Sequence, residues 1–312
     1  MVFSGELGQV CRPVAEEVTP VVESSPTALR RWIGSELKRM REAAGIERAE
    51  VAERFMKTAA WPGHLETGRN LPSVGDLALL LDWYGHPERL EFFRTLLGRA
   101  KRGKDWWSAE VFAAAVPEWF TLYLGLESIA ATADGYDAMA PAGLAQTEDT
   151  ARAVIRTALP DLPEEEVERR VALRMARQGV LTDRTDAEPL RMWRVIDESA
   201  LLRPFGGPKV QKAQLEHYLE LAELDNVTFQ VLPLSVGGHP SIEGPFTLLT
   251  YPPEYGDDPG TVYVEDRQRG TTYEEPHQIA DFRRDLDVLR ELALTPVDSL
   301  SFIHRLAKEI TP

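Results

Sequence analysis

Cysteine is almost missing from this chain, with Cys11 the single one in 312 residues. That excludes an intramolecular disulfide and a thiolate metal cluster, and it fits a reducing, cytoplasmic setting. Long apolar runs are missing too. No stretch reaches the roughly 18 residues a membrane helix needs, so no membrane partner is expected. The opening MVFSGELGQV has no basic start followed by an apolar block, so no signal peptide is expected. The six histidines (His64, His86, His217, His239, His277 and His304) form no HxH or HExxH spacing, which leaves a metal site without support. Walker and Rossmann glycine loops are lacking, as is a GxSxG elbow; Gly206-Gly207 and Gly237-Gly238 read as turns. No cofactor is therefore expected.

What is present is enough chain for two domains and their cores. The formal net charge is −15, which argues against nucleic acid binding over the whole surface. The charge is uneven. Residues 28–104 hold 15 Lys and Arg against 10 Asp and Glu, while the rest is strongly acidic. A basic module precedes an acidic one.

Residues 1–27 contain Pro13, Pro20 and Pro26 with no helical period, and read as a disordered arm. From Leu29 onward, Ile33, Leu37, Met40 and Ala44 recur at helical spacing, and Gly45 ends that helix. A short helix follows with Val51, Ala52 and Phe55 inward. The next segment spans Ala59 to Thr67 and closes at Gly68. Ser73 then caps a helix with Asp76 three residues on, and Val74, Leu77, Ala78 and Leu81 form its expected apolar face. A fifth helix runs from Pro87 to about Arg102 and leads into a linker, Lys101 to Lys104. Five short helices with a tight turn between the second and third make a helix-turn-helix bundle over 28–104.

The strings LKRMREAAGI (37–46), EVAERF (50–55) and LETGRNLPS (65–73) resemble the XRE family of bacterial regulators. The resemblance implies that Glu66, Gly68 and Arg69 close a recognition helix. Such a helix lies in the major groove and presents donors and acceptors to base edges. Here the segment Thr58-Ala-Ala-Trp-Pro-Gly-His-Leu-Glu66 offers Ala59, Ala60, Gly63 and Thr67, with His64 as the polar reader. Pro62 inside that helix removes a backbone bond, unless the helix starts late enough to place it in the first turn. Arg39, Lys57, His64, Thr67 and Arg69 are the candidate DNA-binding residues, with Arg30, Arg31, Lys38 and Arg41 as further phosphate contacts.

From Asp105 to Gln178 the chain reads as helical, including the whole of 119–139. After Pro189 strands are expected at 192–197, 227–233, 245–251 and 261–266, with helices at 208–223, 276–294 and 296–310. The fold class is therefore an all-α helix-turn-helix domain followed by an α+β domain over 105–312, a helical half plus a small β-sheet. LYLGLESIA, GLAQTEDTARAVI, LRMARQGVL, DESALLRPFGG, GHPSIEGPFTLLTYP and VYVEDRQRG resemble the C-terminal domain of unknown function found behind XRE-type modules in actinobacterial regulators. That resemblance implies gene regulation, often beside a small acidic partner protein, with no known ligand or reaction.

Polar residues at strand ends are the remaining candidates. Asp197 and Glu198 end one strand, His239 follows another, and Tyr263 and Glu265 share a face of a third. Trp107, Glu127 and Gln146 lie in the helical half. If one sheet gathers them, Trp107, Glu127, Gln146, His239 and Tyr263 would bind a ligand, and His239, Glu265, Glu198 and Tyr263 would carry acid–base chemistry in an enzyme. Trp61, Trp106 and Trp119 read as packing residues. Three functions stay open. The first is a DNA-binding transcriptional regulator whose C-terminal domain senses a small molecule or a partner protein. The second is a repurposed member in specialised metabolism, with a degenerate recognition helix and a cofactor-independent enzyme or binder behind it. The third is sequestration of a partner protein by the acidic body. A homodimer is compatible with the paired half-sites such readers use.

Overall fold

The structure is a computed structural model that describes residues 23–112, 115–256, 258–266 and 269–311. Cys11 and most of the arm lie outside the described residues. Residues 23–27, expected to belong to a disordered arm, are ordered. Ser25 caps helix α1 (Pro26–Ala43) by accepting from the Ala28 amide, and Pro26 occupies the first turn, where its missing N–H costs nothing.

Four more helices complete the head: α2 (Arg48–Arg54), α3 (Trp61–Glu66), α4 (Val74–Trp83) and α5 (Leu90–Ala100). Their core gathers Leu29, Ile33, Leu37, Met40, Val51, Leu65, Leu77, Leu80, Phe93 and Leu97. Ala44 and Val74, expected inward, are exposed instead, because each sits at a helix end that has turned to solvent. Glu66 at the end of α3 is buried and accepts from Arg41 Nε at 2.6 Å and Arg48 Nε at 2.8 Å. That pairing fastens α3 to α1. Gly34 makes the crossing possible: a Cβ there would fall inside contact of the Leu65 carbonyl oxygen and 2.8 Å from that of Glu66.

The rest is a six-stranded mixed sheet between helical layers. Its strands are β1 (Thr132–Asp137), β2 (Arg191–Asp197), β3 (Val227–Leu232), β4 (Phe246–Thr250), β5 (Thr261–Glu265) and β6 (Gly270–Tyr273), in the spatial order β3-β2-β1-β4-β5-β6. β1, β2 and β3 are mutually parallel, and β4, β5 and β6 add antiparallel. One face carries Ala133, Met192, Phe229, Leu249 and Tyr263. It packs on α6 (Glu118–Ile129), α10 (Pro208–Leu221) and α12 (Pro296–Glu309). The other carries Tyr136, Val195, Leu248 and Val262 beneath α11 (Pro276–Leu292). Three further helices, α7 (Glu148–Ala158), α8 (Glu164–Arg177) and α9 (Glu198–Leu202), flank the first face and the end of β2. The helical reading of 119–139 fails at Ala130. There α6 ends and the chain becomes β1, a central strand with the sequence TADGYD. Gly135 in it leaves room for the Arg194 guanidinium, which a Cβ would displace. β6 was likewise not expected.

Head and body share a core. Tyr255 of the loop after β4 inserts into the head core, its ring 4.7 Å from Trp32 and 5.4 Å from Phe92, and Ile129 at the end of α6 joins it there. Trp32 Nε1 donates to Asp258 at 2.8 Å, and Arg31 pairs with Glu274 at 2.7 Å. The chain is pinned directly after the expected linker, since Asp105 accepts from the hydroxyls of Ser25 and Thr27. At Gly125 in α6 a Cβ would stand 3.0 Å from that of Ala28, so the Ala28 methyl of α1 packs closely over the bare backbone of α6.

The Gly34 contact is testable against Gly63, where an added Cβ meets nothing. Gly34→Ala should lower unfolding stability by about 1–3 kcal/mol through overpacking. Gly63→Ala should be neutral or raise it by up to about 1 kcal/mol. Urea unfolding of both variants gives the comparison, and equal midpoints would dismiss the close α1–α3 crossing.

Candidate functional sites: the reading helix and an arginine-lined cavity

On the head, the helix that should read DNA is short. Ala60 precedes α3 without a side-chain cap, and Pro62 occupies the second helical position, so the late start is the one adopted. Pro62, Leu65 and Glu66 are buried. Ala59, Ala60 and Thr67 are exposed, and His64 is half-buried. The Thr67 hydroxyl donates to its own helix at the Gly63 carbonyl, 2.9 Å away. Met56, in the turn ahead of α3, holds a left-handed φ of 51° with its side chain in solvent. Most of the expected phosphate contacts already have partners. Arg39 forks onto Glu36 at 2.7 Å, Arg31 and Arg41 are paired as described, and Lys57 is 4.0 Å from Asp76. Arg69 is exposed.

In the body, a cavity of about 330 Å³ opens on the first sheet face. Its walls come from α6 (Phe120 and Tyr123), the 140–146 segment, α8 (Arg174 and Arg177), β2 (Met192 and Arg194) and β5 (Tyr263 and Glu265). Rings line one side. Tyr123 stacks 5.3 Å from Phe120 and lies 4.2 Å from Tyr263. The Tyr263 ring can lie flat there because residue 270 is glycine; a Cβ on Gly270 would come 2.6 Å from the phenol carbon Cζ.

Three guanidiniums enter this cavity, and two are neutralised by buried carboxylates. Arg177 donates from Nε and Nη2 to the two oxygens of Glu127, both at 2.6 Å, and from Nη2 to the Tyr123 hydroxyl at 3.3 Å. Burial opposes the Arg177 charge, but Glu127 overcomes it and holds the guanidinium above its ordinary range. Arg194 is buried too and donates to Asp137 at 2.5 and 3.1 Å and to Thr247 Oγ1 at 3.0 Å. Asp137 again outweighs burial and raises its pKa.

Arg174 differs. It donates to the neutral Gln146 Oε1 at 2.8 Å and makes no ion pair among the described residues. Burial and then the neighbouring Arg177 charge push its pKa down to about 10, against the pull of Glu265.

The sequence-derived candidates therefore divide. Gln146, Tyr263 and Glu265 line the cavity, and Glu127 stands behind its wall through Arg177. The Tyr263 hydroxyl donates to Glu265 at 3.3 Å, as their shared face implied. Trp107 is buried in a satellite cluster with Phe112, Leu124 and Leu173 and does not line the cavity. His239 lies on the opposite face, where its Nε2 is 3.2 Å from the Tyr136 hydroxyl, which donates to Asp197 at 3.0 Å. Glu198 accepts from the Leu234 amide nearby. The expected convergence of His239 and Glu198 with Tyr263 and Glu265 does not occur, because Tyr136 and Asp197 point to the other side of the sheet. Sequence reading passed over Arg174, Arg177 and Arg194. For the two on α8 the signal was arginine at 174 and 177, continuing the inward face of Val167 and Val171, where a buried helix face should be apolar.

The head is a helix-turn-helix domain, with residues 32–92 matching the family of that description. The chain as a whole belongs to the family described as Domain of unknown function (DUF5753), matched over residues 120–305. No curated protein and no solved structure matches the chain. The first match points to a DNA-binding regulator, while the second carries no assigned activity. Among the described residues, no helix is long and apolar enough to cross a membrane.

Two outcomes follow from these charges. Glu127→Leu strands the buried Arg177 cation and should cost about 3–5 kcal/mol in urea unfolding. A loss under about 1 kcal/mol, the range of an exposed pair, would mean that water reaches the pair. Alkaline pH should also unfold the protein. Burial raises the pKa of Tyr123, Tyr251 and Tyr263, and takes Tyr255 up to about 12 from the ordinary 10. The folded state keeps protons that the unfolded chain releases. This stability is thus complete below pH 10 and is lost as pH rises towards 12. Arg174 runs the other way but is a single group. A urea midpoint unchanged from pH 9 to 11 would contradict the burial of these phenols.

Proposed function

We propose that this protein is a DNA-binding transcriptional regulator whose C-terminal domain senses a small molecule in the arginine-lined cavity. The observation that carries the reading is the position of α6. Phe120 and Tyr123 on one side of this helix line the cavity, and Glu127 stands behind its wall holding Arg177. Gly125, Ser128 and Ile129 meet the head: the Ser25 amide donates to Ser128 Oγ at 2.9 Å, and Ile129 enters the head core. A ligand that reorders Tyr123 or the Arg177–Glu127 pair shifts the helix on which α1 rests. Such a ligand biases the head only through a difference in affinity between two head positions. Residues 28–104 and 105–312 are the units between which this coupling acts. The exposed cations of the head, Arg69 and Lys57 among them, supply backbone contacts, and His64 is the base-edge candidate.

A second reading has its own observation. The exposed part of α3 presents Ala59, Ala60 and a Thr67 hydroxyl turned back on its own helix. That surface offers little to base edges. It suits a member whose head has become structural and whose cavity binds or transforms a metabolite without a cofactor.

Binding of the full chain to duplex DNA from its own upstream region, against scrambled DNA over a salt series, separates the two. A regulator should prefer its own sequence and still bind near physiological salt. Binding without preference that falls about 10³-fold or more between 50 and 200 mM salt is backbone attraction alone, and favours the second reading.

A further inference from the structure

We propose that the cavity is built to hold the anionic group, carboxylate or phosphate, of a small ring-bearing molecule, with Arg174 as its counter-charge. The proposal names the ligand class for the sensory cavity described above and rests on that reading for its consequence.

Arg177 and Arg194 each hold a buried carboxylate of their own. Arg174 stands against the same cavity with one neutral acceptor, Gln146. Its remaining N–H groups find no protein acceptor among the described residues. A guanidinium presents those donors as a planar fork, which matches the two oxygens of a carboxylate or phosphate. A charge kept in this state is unfavourable without a ligand, as its lowered pKa reflects. An apolar side chain of similar length would suit a purely structural position better.

The surroundings define the remainder of the ligand. Gly143 lies against both α8 arginines: a Cβ there would reach 3.0 Å from Arg177 Nη1 and 3.9 Å from Arg174 Nε. Its bare backbone keeps the space beside the fork open. Phe120, Tyr123 and Tyr263 provide stacking faces, with Met192 and Phe246 also in the lining. The volume is near the low end for small-molecule sites and suits one ring with a short acidic arm. A polyanion is disfavoured, because Glu265 and Asp266 line the same cavity and the body is acidic. The anion therefore belongs to a small metabolite and not to a nucleic acid strand.

The test titrates the full chain with three probes followed by ligand-observed NMR: 3-phenylpropionate, phenyl phosphate and the uncharged 3-phenylpropionamide. At least one anion should bind roughly tenfold or more tightly than the amide, and the better of the two identifies the oxyanion. Arg174→Met should abolish that preference while leaving Tm unchanged or raised, since it removes an uncompensated charge. A merely structural arginine would lower Tm instead. Arg174→Lys keeps the charge and should retain part of the preference, which guards against a poorly folding methionine variant. Equal binding of anions and amide by the wild-type chain overturns the proposal, and so does a preference that survives Arg174→Met. Repeating the DNA titration with the better probe separates this site from the regulatory reading. An Arg174-dependent preference without any effect on DNA upholds the site and removes the sensory coupling. Sequence-preferring DNA binding without an anion preference does the reverse.

Discussion

The close approach of α1 to α6 is the constraint on which the remaining architecture hangs. It exists because residue 125 has no side chain and Ala28 opposite has a small one. With the two helices this close, Ile129 reaches the head core and Tyr255 finds its place beside Trp32 and Phe92. The same helix offers Glu127 to Arg177 at its back. One twelve-residue helix thus serves two cores of opposite character, one apolar and one ionic. Any side chain larger than hydrogen at position 125 must be absorbed by one of them.

Charge is handled differently in the two halves. In the head, buried carboxylates gather the arginines: Glu66 holds Arg41 and Arg48 from two other helices, and Glu36 holds Arg39 of its own helix and Arg89. A net basic segment therefore exposes less free positive charge than its composition suggests. In the body, a strongly acidic segment buries Arg177 and Arg194 and half-buries Arg174 around one cavity. Bulk charge predicted the sign of each half, whereas the cavity lining sets Arg174, Arg177 and Arg194 against Asp137, Glu265 and Asp266.

Much of the fold was legible. Helical periodicity in 29–44 and 74–81, the caps at Ser73 and Gly45, and β-branched runs at 227–233 and 261–266 are local signals, and they survive into the structure except at element ends such as Ala44 and Val74. β1 was not legible, because TADGYD has the composition of a turn. It is a central strand only because β2 and β4 pair with it on both sides. The split of the polar candidates was hidden for a related reason. Alternation along one strand places Tyr263 and Glu265 together, but which face of β2 looks at which face of β5 depends on the order of the strands between them. The proline in α3 was legible as a conflict, and the late helix start resolved it.

Tyr255 closing the head from the body has an evolutionary corollary. Helix-turn-helix units are often treated as interchangeable plugs, yet this one is finished by a side chain about 155 positions downstream of its last helix. Recombination that exchanged the front segment alone would leave Trp32 and Phe92 uncovered and Asp258 without its indole partner. The lineage of this head is tied to the lineage of its body, and the two must drift as one heritable block.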